Sequence, residues 1–141
     1  MRILKHILIM SCFLMPGFFA SAQTQREKIE ELRAAFLSKK LEFSKEESEK
    51  FWPVYNEYQD KLLALKKQVR QAYRKLPANY DEKEAEELLA LENKSKLAEA
   101  ELAKLYNDKL KALIGAKKMV KLHLAEEEFK REVINTIKEK Q

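Results

Sequence analysis

The sequence has few of the residues that interrupt helices or cross-link a chain. Its 141 residues include two glycines, three prolines and one cysteine. Alternating apolar and polar runs of the kind found in strands are also missing, while Leu, Ala, Glu and Lys dominate. This composition predicts long helices and an all-α fold.

The residue patterns of common catalytic sites are missing as well. The sequence has no Gly-rich phosphate loop, no nucleophile–histidine–acid set and no triad of metal ligands. The serines of the mature chain have no plausible base as a partner. We therefore predict that the protein is not an enzyme, uses no cofactor and acts by binding.

The N-terminus has the layout of a secretory signal peptide. Two basic residues precede the apolar run 7–19, and Ala20-Ser21-Ala22 supplies the small residues that signal peptidase needs. A transmembrane anchor is the alternative. However, the run is shorter than the roughly 20 residues that a span requires, and Pro16-Gly17 interrupts it. We predict cleavage after Ala22, export, and no transmembrane segment afterwards.

A lipoprotein is a further alternative for this segment. Cys12 follows Ile9-Met10-Ser11, which is faintly similar to a lipobox, but cleavage there would leave a very short apolar region. Cleavage after Ala22 instead leaves residues 23–141 as a single helical domain, with the net charge reduced from +5 to +3. The mature chain then has no cysteine, which excludes disulfides, thiol chemistry and cysteine-ligated metal.

Apolar periodicity predicts four helices, over residues 26–40, 45–75, 82–113 and 116–138. Ser44 and Glu47 match a capping box, in which each side chain satisfies the free backbone N–H of the other residue. Asp81 stands in the same relation to the third helix. Pro53 predicts a kink in the second helix and not an end, because the apolar spacing continues across it. Gly115 marks the break before the fourth helix.

The second helix carries a heptad seam, which suits packing against a neighbouring helix. Its members are Tyr55, Tyr58, Leu62, Leu65, Val69, Ala72 and Leu76. Counterparts on the third helix are Leu88, Leu91, Ala98, Leu102, Leu105, Tyr106 and Leu113. The inner face of the fourth comprises Met119, Leu122, Phe129, Val133 and Ile137. Six basic residues in 61–75 and six acidic residues in 81–92 favour a hairpin that turns at Pro77.

Three segments carry a resemblance to a known family. Phe43-Ser44-Lys45-Glu46-Glu47 resembles the LTxxQ motif of the Spy/CpxP-like periplasmic proteins, with Phe, Ser and Glu in place of Leu, Thr and Gln. Residues 51–58 read FWPVYNEY and look like the FWPxYxxY stretch of relatives labelled sensor of ECF-type sigma factor. Residues 126–131 are similar to the E-x-x-F-R/K pattern of the family. Residues 114–118 lie where a second LTxxQ copy would stand, and they depart from it.

The resemblance implies a fold of four helices on a long antiparallel hooked hairpin, often dimerising into a curved cradle. It implies ATP-independent, chaperone-like binding of unfolded or stress-exposed envelope proteins in the periplasm. An envelope-stress sensor or regulator that binds an anti-sigma factor or a sensor-kinase ectodomain is the alternative. A metal-responsive role is a third.

Two groups of side chains are candidates for contacting a protein partner. The residues are Phe51, Trp52 and Tyr55 in an aromatic cluster and Lys66, Arg70 and Arg74 in a basic stripe. Core packing is the alternative for the cluster, and a solvated, ion-paired face is the alternative for the stripe. Trp52 falls off the heptad seam, so it is the residue expected to face a partner. We interpret Ser44 and Glu47 as a structural helix start.

Composition also bears on three other classes of partner: metal ions, nucleic acid and a second copy of the chain. His123 and Met119 are four residues apart, but one imidazole and one thioether are a poor metal-ligand set, so we predict no metal site. Nucleic acid is excluded as a partner because the protein is exported and its basic residues are interspersed with acidic ones. Four amphipathic helices in a short chain predict a homodimer.

Overall fold

Three helices and two short connections make up residues 19–138, the part of the backbone that this computed structural model describes. Side chains are described for 27–136 and 138. The helices are α1 (Phe19–Leu41), α2 (Lys45–Lys75) and α3 (Glu82–Lys138), and this range contains no strand. The predicted all-α fold is confirmed. The apolar run of the predicted leader, with Cys12, lies almost wholly outside the described residues, as does the side chain of Ile137.

The chain divides into two compact units, Met1–Ala34 and Ala35–Gln141, and the boundary falls inside α1. The described part of the first unit is the helical segment 19–34. The second unit contains the last turns of α1, the whole of α2, and α3. Every contact discussed below lies within the second unit.

α1 ends at Leu41 because the next residue leaves the helical region. Glu42 has a positive φ of 50°, and its backbone N–H donates to the Ser38 carbonyl at 3.1 Å. This is a left-handed C-terminal cap, a position that normally favours glycine because a Cβ is strained there. The structure therefore places a conformational cost at Glu42.

Replacing Glu42 with glycine is expected to stabilise the protein by about 1 kcal/mol, since it relieves the strain of the positive φ. The Glu42→Ala variant is the matched control, because it removes the carboxylate and keeps the Cβ. Urea unfolding of the two variants measures the difference. Equal stability of the glycine and alanine variants would contradict the strain argument.

α2 spans Lys45–Lys75, the bounds that the sequence predicted, and it continues through Pro53. Ser44 is its N-cap, and both capping-box bonds are present. Leu76 is its C-cap, and the Leu76 N–H donates to the Tyr73 carbonyl at 3.3 Å. A second capping box starts α3: the Glu84 N–H donates to Asp81 Oδ1 at 2.8 Å, and the Asp81 N–H donates to Glu84 Oε2 at 2.9 Å.

α2 and the first part of α3 run in opposite directions. Tyr73 donates to Glu92, Lys66 lies 3.9 Å from Glu99, and the Tyr58 ring stacks on Tyr106 at 5.4 Å. In these contacts the residue numbers fall along α2 as they rise along α3, which is the pattern of an antiparallel pair. Apart from the buried Tyr55, the seam predicted on α2 is half-buried throughout, which leaves a thin apolar interface between two helices.

The hydrophobic core lies where four helical segments meet. Its buried members are Leu37, Leu41, Phe51, Tyr55, Leu110, Ile114, Met119, Leu122 and Ala125. They come from the end of α1, the start of α2 and both sides of Gly115. The core is therefore concentrated beyond the thin two-helix interface.

Gly115 allows one helix to contribute two walls of this core. Its φ of 78° and ψ of 159° are non-helical, and among the described residues of α3 it alone interrupts the helical backbone. This region of backbone space is essentially restricted to glycine. The sequence predicted a break at Gly115, and the helical backbone is interrupted there. No loop separates the two helical stretches, so they follow one another within α3.

Candidate protein-binding surface

The capping box of α2 also holds the segment that follows Gly115. The Ser44 N–H donates to Glu47 Oε2 at 2.9 Å, and the Glu47 N–H donates to Ser44 Oγ at 3.1 Å. Lys118 Nζ donates to both Glu47 oxygens at 2.6 Å and lies 5.6 Å from the centre of the Phe43 ring. The residues of the LTxxQ-like segment therefore act here as a helix cap and as an anchor for the last part of α3.

Glu47→Gln is expected to weaken the acid dependence of stability. The bond from Lys118, and then the Ser44 N–H, hold the pKa of Glu47 below its ordinary value of 4.5. A carboxyl with a lowered folded pKa stabilises the protein above its unfolded pKa and loses that contribution as the pH falls through the folded value. Glutamine keeps the cap and removes the charge.

The measurement is urea unfolding of wild type and variant near neutrality and well below pH 4.5. The stability gap should be present near neutrality and narrow in acid. Glu49→Gln is the matched control, since Glu49 has only an exposed contact of 3.9 Å with Lys45. A gap that stays constant with pH would show that the Lys118 pair contributes nothing.

Phe51 and Tyr55, two of the predicted partner-binding residues, are buried in the core. Their side chains are 0% and 2% exposed, and their rings stack at 5.2 Å. The Tyr55 hydroxyl donates to Glu126 Oε1 at 2.7 Å. Both residues therefore pack the fold and do not form an accessible surface, which corrects the prediction for these two positions. The physical reason is the redirection at Gly115, which brings Leu122 and its neighbours over them.

Trp52 lies at the edge of this aromatic cluster. Its ring is half-buried and meets Phe51 edge-on at 5.1 Å, and its Nε1 donates to Ser48 Oγ at 3.0 Å. One side of the indole packs on the core while part of it remains accessible. This is the placement expected of a residue off the heptad seam.

The basic stripe predicted on α2 is exposed. Lys66, Arg70 and Arg74 all lie on the surface, and Lys66 has a long contact of 3.9 Å with Glu99. The acidic block opposite is partly engaged within α3 itself, as in the pairs Lys83–Glu87 and Lys96–Glu92. The stripe therefore keeps much of its positive charge available to solvent or to a partner.

Large apolar side chains are exposed along α3, which the sequence analysis missed. They are Leu89, Leu97, Leu105, Leu113, Val120, Leu124 and Ile134. Leu105 and Leu113 had been predicted on the inner seam, and the others fall outside any predicted seam. A count of apolar residues left over after each seam is drawn would have identified those others.

Among these residues, Val120 and Leu124 form an outward apolar surface. They are 61% and 66% exposed and lie one helical turn apart, on the face opposite the buried Leu122 and Phe129. The segment after Gly115 therefore has apolar residues on two opposite faces. One face packs on the core, and the other faces outward.

His123 lines a cleft of about 260 Å³ between α2 and both parts of α3. The other lining residues are Tyr55, Tyr58, Asn107, Leu110, Leu122, Glu126 and Glu127. Within the described part of the chain, no group of three or more His, Cys, Asp or Glu side chains is arranged to hold a metal ion.

Among residues 19–138, no helix is both long enough and apolar enough to cross a membrane. Comparisons with protein-family models, with curated proteins and with solved structures found no match for this chain.

Proposed function

We propose that this protein is an exported, chaperone-like binder that holds unfolded or stress-exposed envelope proteins without ATP, as its resemblance to the Spy/CpxP-like family implies. The observation that carries the proposal is the outward apolar surface formed by Val120 and Leu124 on α3. Apolar surface beyond scattered single residues is typical of a protein-interaction site.

Charged residues among these apolar side chains favour weak and reversible binding. Lys117, Lys121 and Arg131 are all exposed on the same segment as Val120 and Leu124. Lysine and arginine stems add apolar contact area while their charged ends remain in water. Unfolded segments would bind through many small contacts, and charge attraction would speed the encounter.

We further propose the finer architecture that the resemblance implies: a hooked antiparallel hairpin in a periplasmic homodimer. The opposed contacts of α2 and α3 support the hairpin, and the exposed apolar side chains support self-association. Sedimentation of the purified protein at micromolar concentration tests the dimer. A monomer under those conditions would remove this part of the proposal.

An aggregation assay tests the binding function. Two chemically unrelated reduced proteins serve as clients, and light scattering is followed without ATP as the protein is added. We expect suppression of scattering for both clients at or below equimolar protein. The double variant Val120→Ser/Leu124→Ser should suppress less, with an unchanged unfolding midpoint because both side chains are exposed.

Two controls define the outcome. Lys117→Ser/Lys121→Ser changes the same helical segment without removing apolar surface, and Trp52→Ala tests the half-buried aromatic edge. If neither client is protected, general client binding fails. A dedicated partner, such as an anti-sigma factor or a sensor-kinase ectodomain, then becomes the better hypothesis.

A further inference from the structure

The cleft beside His123 has a chemical character that the exposed apolar surface lacks. Leu110 and Leu122 are buried at its base, whereas its rim consists of tyrosine, asparagine, histidine and glutamate side chains. α2 supplies the tyrosines, the part of α3 before Gly115 supplies Asn107, and the part after it supplies the rest. Three packed segments therefore fix the shape of the cleft.

Glu127 differs from most carboxylates of this protein. Glu46, Glu57, Glu92 and Glu128 each lie within 2.7 Å of a lysine amino group. Among the described residues, the Glu127 side chain forms no hydrogen bond or ion pair, and the same is true of the His123 and Asn107 side chains. The cleft thus combines an unpaired carboxylate with further polar groups that have unused bonding capacity.

The wall formed by α2 is aromatic, and carboxylates of α3 lie near it. Burial raises the pKa of the Tyr58 hydroxyl above its usual value, and the charges of Glu126 and Glu99 raise it further. Burial disfavours any charge at this position, whereas the two nearby carboxylates disfavour an anion and favour a cation. Tyrosine rings also attract cations over their faces.

We propose that this cleft is a binding site for a guanidinium group, supplied by an arginine side chain of a bound polypeptide. The Glu127 carboxylate accepts hydrogen bonds from the N–H groups of the guanidinium, and the Asn107 amide oxygen accepts one from a remaining N–H. The Tyr55 and Tyr58 side chains line the apolar approach to the site. A guanidinium suits the site because its fork of donors matches a carboxylate and its flat face stacks on aromatic rings.

The size of the cleft agrees with this ligand class. At about 260 Å³ it is smaller than the sites of roughly 300–1,000 Å³ that hold drug-sized molecules. A single side chain fits, and a folded element does not. The inference rests on the proposed function, because it names one chemical feature that a bound polypeptide would present.

The test follows the ring-proton resonance of His123 in the purified protein at near-neutral pH. N-acetyl-arginine amide is titrated, with N-acetyl-citrulline amide as the uncharged probe of similar shape. We expect a saturable shift with arginine and an affinity for citrulline lower by about tenfold, as for loss of one charged hydrogen-bonded contact. Equal responses to the two probes would overturn the site.

Glu127→Gln should lower arginine affinity by about tenfold, whereas Glu132→Gln, an exposed carboxylate on the same helix, should leave it unchanged. A glycine peptide with one central arginine separates the sources of the ligand. Tighter binding of the peptide than of the amide supports a polypeptide ligand, and tighter binding of the amide overturns that part.

The aggregation assay with Glu127→Gln keeps the two proposals distinct. Protection of clients without arginine binding would contradict the proposed site and leave the proposed chaperone-like function standing. Arginine binding without client protection would remove the function and leave the site as one for another arginine-bearing partner.

Discussion

Replacing Phe51 with alanine is expected to lower the free energy of unfolding by about 3–5 kcal/mol, the range for a buried phenylalanine. The side chain is fully buried, and its ring lies 4.7 Å from Phe43 and 5.1 Å from Trp52. Removing it leaves a cavity bordered by residues from α1, α2 and α3. The surrounding aromatic rings are too rigid to fill that cavity completely.

Urea unfolding followed by far-UV circular dichroism measures this effect. Leu124→Ala is the matched control, since it also removes a large apolar side chain, but one that is mostly exposed. The control should change stability by no more than about 0.5 kcal/mol. Similar losses for the two variants would show that Phe51 is not part of a packed core.

Replacing Gly115 with alanine is expected to destabilise the protein by about 1–3 kcal/mol, the usual cost of holding a non-glycine residue in this backbone region. Nothing lies within 4 Å of the position that a Cβ would occupy. The cost therefore arises from the backbone and not from a clash. Relief of the strain requires α3 to straighten, which would separate Met119 and Leu122 from Phe51.

Whether Gly115→Ala raises or lowers stability shows whether position 115 is ordinary helix or requires its non-helical backbone. If position 115 were ordinary helix, alanine would stabilise it by about 1 kcal/mol relative to glycine. If the observed backbone is required, alanine destabilises. Lys117→Ala is the control, because Lys117 is exposed and helical two residues further on. Trp52 fluorescence should report the loosened core in the Gly115 variant alone.

The local features of the fold follow from the sequence because they depend on near neighbours. The capping box at Ser44 and Glu47, the bounds of α2 and the second box at Asp81 all rest on residues three or four apart. The interruption at Gly115 was also predicted. Its direction was not, since a single glycine permits many backbone angles.

The features that escaped prediction depend on distant residues. The burial of Phe51 and Tyr55 requires Leu122 to lie over them, and the Lys118–Glu47 pair joins residues 71 apart in the chain. The exposure of Leu105 follows from how far the two helices rotate about each other. Heptad spacing does not specify that rotation. Periodicity therefore identified which residues are apolar but not which of them face outward.

The separation between the two-helix interface and the core has a consequence for the order of folding. The contact between Tyr73 and Glu92 closes a loop of 19 residues, whereas Tyr55–Glu126 and Lys40–Glu128 join residues 71 and 88 apart. Short loops close at lower entropic cost, so contacts near Pro77 are expected to form first and the core last.

A mutation in the core would then mainly accelerate unfolding, while one near the turn would mainly slow folding. The test is to measure folding and unfolding rates against denaturant concentration for Phe51→Ala and Leu88→Ala. Slower folding of Phe51→Ala would contradict this order of folding. The two-helix segment is then expected to form early in folding. The core that joins α1 to the last part of α3 forms only when nearly the whole sequence is available.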